Sequence, residues 1–278
     1  MSTSPFVWLN GRLQPLAEAR LSPLDHGLMV GDGVFETLTA HAGRPFASRE
    51  HYERLARSCD ATGLHCLPEA DYEAAMAAVL KANGLEEARV RVTLTSGDGP
   101  LGSGRGDGPG TVLVVATPLK PWPPSEKVVL VPWTRNTRGA LAGVKSVSYG
   151  ENVVALAHAK KEGCGEALLA NEKGDLCEGT GSNVFVVVKG RLLTPPLASG
   201  CLAGITRHLV LKACAQAGIS CEEKTLPATV LGLCEEAFLT SSTRDVHPIS
   251  EVNGRTLATP GPVTRTVQAA FAALAAEV

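Results

Sequence analysis

A carboxylate stands among glycines and small hydroxyls in L-C-E-G-T-G-S-N-V-F-V-V-V, residues 176–188. Val184 to Val188 is a run of β-formers, Lys189-Gly190 is a turn, and Leu192-Leu193 resumes the apolar pattern, which predicts a hairpin with Glu178 at its mouth. By residue type, Glu178 either ends a strand near the surface, as acids usually do, or is held there because a cationic group sits against it. Lys145, in A-G-V-K-S-V-S-Y-G, has two readings as well. It is a snorkelling surface residue, or it is partly buried beside Val144 and Val147, where a disfavoured ammonium lowers the pKa and suits the amine to form a Schiff base.

Two further stretches suit an anion. G-C-L-A-G-I-T-R, residues 200–207, places two glycines before a helix whose Leu209, Val210, Ala213, Cys214 and Ala217 share a face, with Gly218 as its stop. Amides of Ile205 and Thr206 at such a start can bind phosphate, or Thr206 can simply cap its helix. In F-L-T-S-S-T-R-D-V-H-P, Thr240, Ser241, Ser242 and Thr243 end a short apolar strand, either as turn formers or as ligand donors at a strand end. Arg54, in S-R-E-H-Y-E-R-L-A-R-S, flanks the Tyr52, Leu55, Ala56, Cys59 face of a predicted helix, so the wheel permits it either inside or in solvent.

The elements that must position these residues alternate between strands and helices. Strands are expected at F-V-W-L-N-G, G-V-F-E-T-L-T-A-H and A-R-V-R-V-T-L-T-S-G, and helices from Ser48 to about Cys59 and over D-Y-E-A-A-M-A-A-V-L-K-A-N-G. Four prolines in T-P-L-K-P-W-P-P-S-E mark a linker over 118–126, separating a domain at 1–117 from a larger one at 127–278. Beyond it come several strands, a helix at N-V-V-A-L-A-H-A-K-K-E-G, the Glu178 hairpin and the helix after Gly204. A last helix carries Val263, Val267, Phe271 and Leu274 as a single buried stripe. The glycine-rich loop G-D-G-P-L-G-S-G-R-G-D-G-P-G, residues 97–110, is a surface excursion or a lid.

Composition excludes several classes of partner. The chain has 278 residues, 44% of them hydrophobic, and a net charge of -2, so it carries core material for one or two domains but no electrostatic footprint for nucleic acid or an anionic membrane. Small metabolites are the expected ligands. Eight cysteines without a C-x-x-C spacing read as reduced core thiols, and seven scattered histidines offer no metal set. No basic-then-apolar leader opens the M-S-T-S-P-F-V-W-L-N-G-R terminus and no apolar run reaches 18 residues, which predicts a cytoplasmic protein.

Taken together and in order, these stretches resemble the class IV (fold type IV) pyridoxal phosphate enzymes. The resemblance runs from about residue 6 to 250, over G-D-G-V-F-E-T at 31–37, H-Y-E-R-L at 51–55, V-K-S-V-S around Lys145, E-G-T-G-S-N-V-F at 178–185, T-P-P-L at 194–197, G-C-L-A-G-I-T-R and T-S-S-T at 240–243. E-G-x-x-S-N-x-F together with G-x-x-x-G-I-T-R is its specific part. The family holds branched-chain aminotransferases, D-amino acid aminotransferases and 4-amino-4-deoxychorismate lyases. It implies an α/β (α+β) two-domain fold with a small N-terminal α/β domain, a larger C-terminal pseudo-barrel domain, a site at the domain cleft, and a homodimer.

The resemblance further implies pyridoxal 5'-phosphate as cofactor, with Lys145 as the Schiff-base lysine and catalytic proton carrier and Glu178 as partner of the pyridine nitrogen. Arg54, Ile205, Thr206, Ser241 and Ser242 would hold the phosphate, and Ser182 the polar edge of the ring. Phe35, Arg105, Tyr149 and Thr243 would meet the substrate, an amino acid or 2-keto acid. The chain departs from its relatives in having Gly150 where a branched-chain enzyme has tyrosine five residues after the lysine, and Phe35 where a D-amino acid enzyme has tyrosine. The implied activity is amino transfer. The alternatives are the lyase reaction giving 4-aminobenzoate and pyruvate, and a non-catalytic phosphate-ligand-binding relative, which predicts erosion of Lys145 or Glu178, both present here.

Overall fold

The computed structural model describes residues 5–277. Residues 1–4, part of the terminus read above, and Val278, the end of the expected last helix, lie outside the described residues. The chain forms two units, one running up to Lys120 and including Val144–Tyr149, the other made of Pro121–Gly143 and the chain from Gly150 onward.

The first unit is a six-stranded antiparallel sheet with two helices on one face. Its elements are β1 (Phe6–Leu9), β2 (Arg12–Pro15), a short α1 (His26–Met29), β3 (Gly33–His41), β4 (Arg44–Pro45), α2 (Ser48–Thr62), α3 (Glu69–Asn83), β5 (Ala88–Thr95) and β6 (Thr111–Pro118), with sheet order β2-β1-β6-β5-β3-β4. Strict alternation in β5 explains its role: Ala88, Val90, Val92 and Leu94 are buried, while Arg89, Arg91 and Thr93 stand on the other face. Leu55, Cys59, Tyr72, Met76, Val79 and Leu80 of the helices pack with those buried residues and with Val34, Leu38 and Val114. Each such aliphatic, fully buried, stabilises the unit by roughly 1.5–3 kcal/mol. Helix α2 runs one turn beyond the expected Cys59 and stops at Gly63, whose φ of +64° closes the last turn at no steric cost.

Chain order places Lys145 after the proline-rich stretch, yet its backbone belongs to the first sheet. Ser146 bridges Val34, the Phe35 N–H donates to the Lys145 carbonyl at 2.9 Å, and the Val147 N–H donates to Gly33 at 2.8 Å. The segment thus extends the sheet along the edge of β3 opposite β5.

The second unit is built on a nine-stranded mixed sheet. Its strands are β7 (Glu126–Arg135), β8 (Glu166–Asn171), β9 (Leu176–Gly179), β10 (Asn183–Val188), β11 (Arg191–Thr194), β12 (Cys221–Glu223), β13 (Glu236–Ser241), β14 (Asp245–Val252) and β15 (Arg255–Thr256). They run β12-β11-β10-β13-β14-β7-β8-β9, with β15 beside β14. The hairpin expected after Glu178 is β10–β11, with Val186 opposite Leu193. Helices α4 (Gly150–Lys161), α5 (Ile205–Gln216) and α6 (Pro262–Ala275) complete the unit.

Two helix faces differ in detail from the apolar stripes. In α6 Val267, Phe271 and Leu274 are buried, but Val263 is only half-buried, and Thr264 takes the inner place because its N–H and hydroxyl both donate to buried Glu236. In α5 Leu209, Val210, Ala213 and Cys214 are buried while Ala217, the C-cap, is exposed. All eight cysteines are free thiols, six buried and Cys66 and Cys221 half-buried. Among the described residues no helix is long and apolar enough to cross a membrane.

Candidate active site

In the first unit the candidate residues collect around Phe35, whose ring is buried on the sheet face away from the helices. Lys145 Nζ lies 4.5 Å from the ring centroid, the Arg91 guanidinium 3.7 Å from it, and Tyr149 meets it edge-on at 5.3 Å. Lys145 is half-buried, with its backbone fixed by the β3 edge. Arg91 is a residue the sequence reading missed. Its strand alternation marks an outward face, and only the register that sets Thr93 beside Phe35 brings it to the ring.

Arg54 is turned inward rather than solvated. It is 5% exposed and grips Glu36 as a fork, Nε to Oε1 at 2.8 Å and Nη2 to Oε2 at 2.7 Å, while His51 Nδ1 meets Oε2 at 2.7 Å. Burial alone would raise the Glu36 pKa, but the Arg54 charge and the hydrogen bonds from Arg54 and His51 outweigh it and hold the carboxyl down at about 2. Arg105 does not join this group. It forks onto Asp32 with both bonds at 2.7 Å and donates to the carbonyls of Thr62 and Gly63, which ties the glycine-rich loop to the end of α2.

In the second unit Glu178 is buried at the end of β9. Its Oε2 accepts the Leu202 N–H at 2.9 Å, and its Oε1 lies 3.0 Å from Arg135 Nε, an ion pair at contact distance rather than an aligned hydrogen bond. A cation therefore does sit against this carboxylate. The Leu202 carbonyl in turn accepts from the Asn183 side chain at 2.9 Å, so one residue of the G-C-L-A-G loop clamps both polar ends of E-G-T-G-S-N. Gly204 completes the join. A Cβ there would stand 2.0 Å from Asn183 Oδ1, so only glycine fits.

The small hydroxyls beyond Glu178 have a partner that the sequence did not disclose. Thr180, through its N–H at 3.1 Å and its hydroxyl, and Ser182, at 3.2 Å, donate to Glu166, which is 1% exposed and also pairs with Arg244 at 3.1 Å. Arg244 lies over the Trp122 ring at 4.0 Å, and Trp122 meets His247 edge-on at 6.3 Å. Ser182 thus spends its donor on Glu166. Lone acids opening a strand carry no sequence signal of this kind.

The start of α5 has the features of an anion site. Gly204 is its N-cap with no side chain capping the helix, and Ile205 and Thr206 are 6% and 3% exposed, so buried amides and the positive end of the dipole are directed at one place. Helix α5 packs on β13, where Thr240 Oγ1 is buried without a hydrogen-bond partner among the described residues, and Ser241, Ser242 and Thr243 continue the turn half-buried. Amides, hydroxyls and an unsatisfied buried oxygen are the donor chemistry of a phosphate site.

The start of α5 and Thr240 thus present a donor set that suits an anion. The chain belongs to the amino-transferase class IV family, whose model matches residues 33–252. A Methanocaldococcus jannaschii protein assigned as a branched-chain-amino-acid aminotransferase is 33% identical over 272 residues, 95% of this chain and 94% of that one. D-alanine aminotransferase of Bacillus licheniformis is 30% identical over 270 residues, 95% of each chain. The solved branched-chain aminotransferase of Thermoproteus uzoniensis with norvaline superposes with a TM-score of 0.91 at 29% identity, covering 99% of this chain and 96% of that one. Class IV aminotransferases use pyridoxal phosphate, and a solved branched-chain enzyme of the same fold holds pyridoxamine 5'-phosphate. The donor set at α5 and Thr240 fits the phosphate group of this cofactor.

Proposed function

We propose that this chain moves an amino group between an amino acid and a 2-keto acid, with Lys145 as the covalent and proton-carrying residue. The observation that carries this reading is the placement of Lys145: its backbone is pinned to the β3 edge by two hydrogen bonds, and its amine is 4.5 Å from the centroid of the buried Phe35 ring. Apolar surroundings of this kind suit an amine to covalent chemistry with a carbonyl group.

Bound pyridoxal phosphate would supply an electron-accepting ring that takes up charge as the substrate Cα loses its proton. Lys145 Nζ would take up the proton released at Cα and hold it for return. Glu178 would accept the N–H of the ring nitrogen. Arg54, the Ile205 and Thr206 amides, and hydroxyls of the 240–242 turn would hold the phosphate, with Thr240 satisfied by it. Arg91 is placed to meet a substrate carboxylate, with Phe35, Tyr149 and Thr243 as further candidates and Arg105 committed to Asp32.

Similarity to both branched-chain and D-alanine enzymes frames the substrate test. The purified protein with cofactor is offered 2-oxoglutarate with D-alanine or with L-leucine, and glutamate is measured. Steady glutamate formation is expected, and 4-aminobenzoate released from aminodeoxychorismate without glutamate formation would replace this reading by the lyase reaction. We further propose a homodimer. Leu16, Leu21, Leu24, Leu28, Met29 and Val30 are all more than 40% exposed within fifteen residues, which is apolar surface of the kind that partners cover. Sedimentation equilibrium at twice the chain mass is the expected result.

A further inference from the structure

Glu36 and His51 form, with Arg54, a buried polar group in the first unit. Glu36 follows Val34 and precedes Leu38 on the inward face of β3, and it is 0% exposed. His51 is 1% exposed and sits three residues before Arg54 on α2, the spacing that puts two side chains on the same helix face. Both therefore reach one carboxylate. An acid buried this way is weak evidence for stability, because well-packed apolar residues would do as well or better. Its presence calls for another account.

The geometry gives one. Glu36 occupies the Nε–Nη2 edge of the guanidinium with two bonds, and His51 fixes the same carboxylate oxygen that Nη2 uses. A planar fork held along one edge cannot rotate, so its Nη1 donors keep a single direction. Burial, helped by the Arg54 and Lys145 charges, lowers the His51 pKa against the pull of Glu36, which leaves a neutral ring that donates through Nδ1 and adds orientation without charge. The Arg54 charge is balanced by Glu36, so the guanidinium can be buried and ordered before any ligand arrives.

We propose that Glu36 and His51 are positioning residues that fix Arg54 in advance as a rigid clamp for the phosphate of the cofactor. This rests on the reading of Arg54 as a phosphate ligand. An arginine ordered only on binding would have to give up its rotamer freedom at that moment, and prior fixation removes this loss, an effect on the order of 10-fold in affinity.

The test compares two ligands that differ only in the clamped group. Cofactor-free protein is titrated with pyridoxal phosphate and, separately, with pyridoxal, following the visible absorbance of each, for the unsubstituted chain and for Glu36→Gln, His51→Asn and Arg54→Met. The inference expects Glu36→Gln and His51→Asn to bind pyridoxal phosphate on the order of 10-fold more weakly while pyridoxal affinity stays unchanged. A merely loosened fold would weaken both ligands alike, and that result overturns the proposal. Should Glu36→Gln not fold, His51→Asn decides, since it removes only a neutral partner; undiminished preference for the phosphorylated ligand in His51→Asn overturns the proposal as well. If Arg54→Met itself keeps the full preference, the phosphate role of Arg54 fails and the clamp with it. If Arg54→Met loses the preference while the other two keep it, only the positioning role fails.

Discussion

Arg135 Nε stands 3.0 Å from Glu178 Oε1, on the other side of the carboxylate from the Leu202 amide. The two side chains are 16% and 12% exposed, and Arg135 also donates to Asn152 at 3.2 Å. Removing the cation breaks the ion pair of a mostly buried carboxylate, which costs about 3 kcal/mol for pairs of this kind. Arg135→Leu is therefore expected to lower the urea midpoint markedly, with Arg135→Lys recovering part of the loss; equal midpoints for Arg135→Leu and the unsubstituted chain would show the pair to be energetically idle.

Lys145→Ala is expected to abolish both turnover and the visible absorbance that marks covalent attachment, while leaving the fold intact. The backbone bonds that pin position 145 to β3 use the carbonyl of Lys145 and the amide of Val147, neither of which the substitution touches. Circular dichroism checks the fold and a spectrum of the reconstituted protein checks the attachment. A variant that keeps the absorbance would end the assignment of the lysine.

Arg91→Leu keeps an apolar stem over Phe35 and deletes the charge 3.7 Å from its ring. Charge-assisted hydrogen bonds are worth about 1.5–3 kcal/mol, so the KM for the 2-keto acid is expected to rise by roughly 10- to 100-fold with a smaller change in kcat. Steady-state kinetics at varied keto acid makes the measurement. An unchanged KM would remove Arg91 from the substrate contacts.

Acid should weaken the fold in two windows. Burial, with a smaller contribution from Arg244, holds His247 down at about 4, so the folded protein resists protonation that the unfolded chain accepts near 6.5. Stability is full above that range and falls as the pH drops from 6.5 towards 4. Glu36 is held at about 2 rather than 4.5, so its contribution, on the order of 3 kcal/mol, is present above 4.5 and is lost between there and 2. Urea unfolding across pH 2 to 8 should show both declines, and His247→Gln should reduce the upper one, to which neutral, buried His51 also contributes, while leaving the lower one unchanged.

Local patterns exposed some of this and long-range pairing hid the rest. The Glu178 hairpin, the helix after Gly204 and the buried face of α6 follow from turn residues and periodicity, which are properties of neighbours in sequence. Glu36 left a trace of the same kind, since an acid two residues from Val34 and Leu38 falls in the inward phase of its strand. By contrast the resemblance put Arg105 among the substrate contacts, and nothing nearby in sequence tells that Asp32, 73 residues away, holds it. Glu166 and Arg244 lie 78 residues apart, and the clamp on Glu178 depends on Leu202, whose backbone rather than its side chain does the binding. Backbone donors have no residue type to read. The alternatives open for Arg54 were likewise settled by a partner on another element.

Because Val144–Tyr149 pairs with the first sheet, the polypeptide passes from one unit to the other three times, near residues 120, 143 and 149. Neither unit corresponds to a contiguous stretch of coding sequence. A gene cut in the proline-rich region would yield an N-terminal product with β3 paired on its outer edge only to the short β4 and a C-terminal product carrying Lys145 on a tether with no sheet to dock onto. Chimaeras between relatives of this enzyme should therefore exchange residues 1–120 and 144–149 together, or not at all.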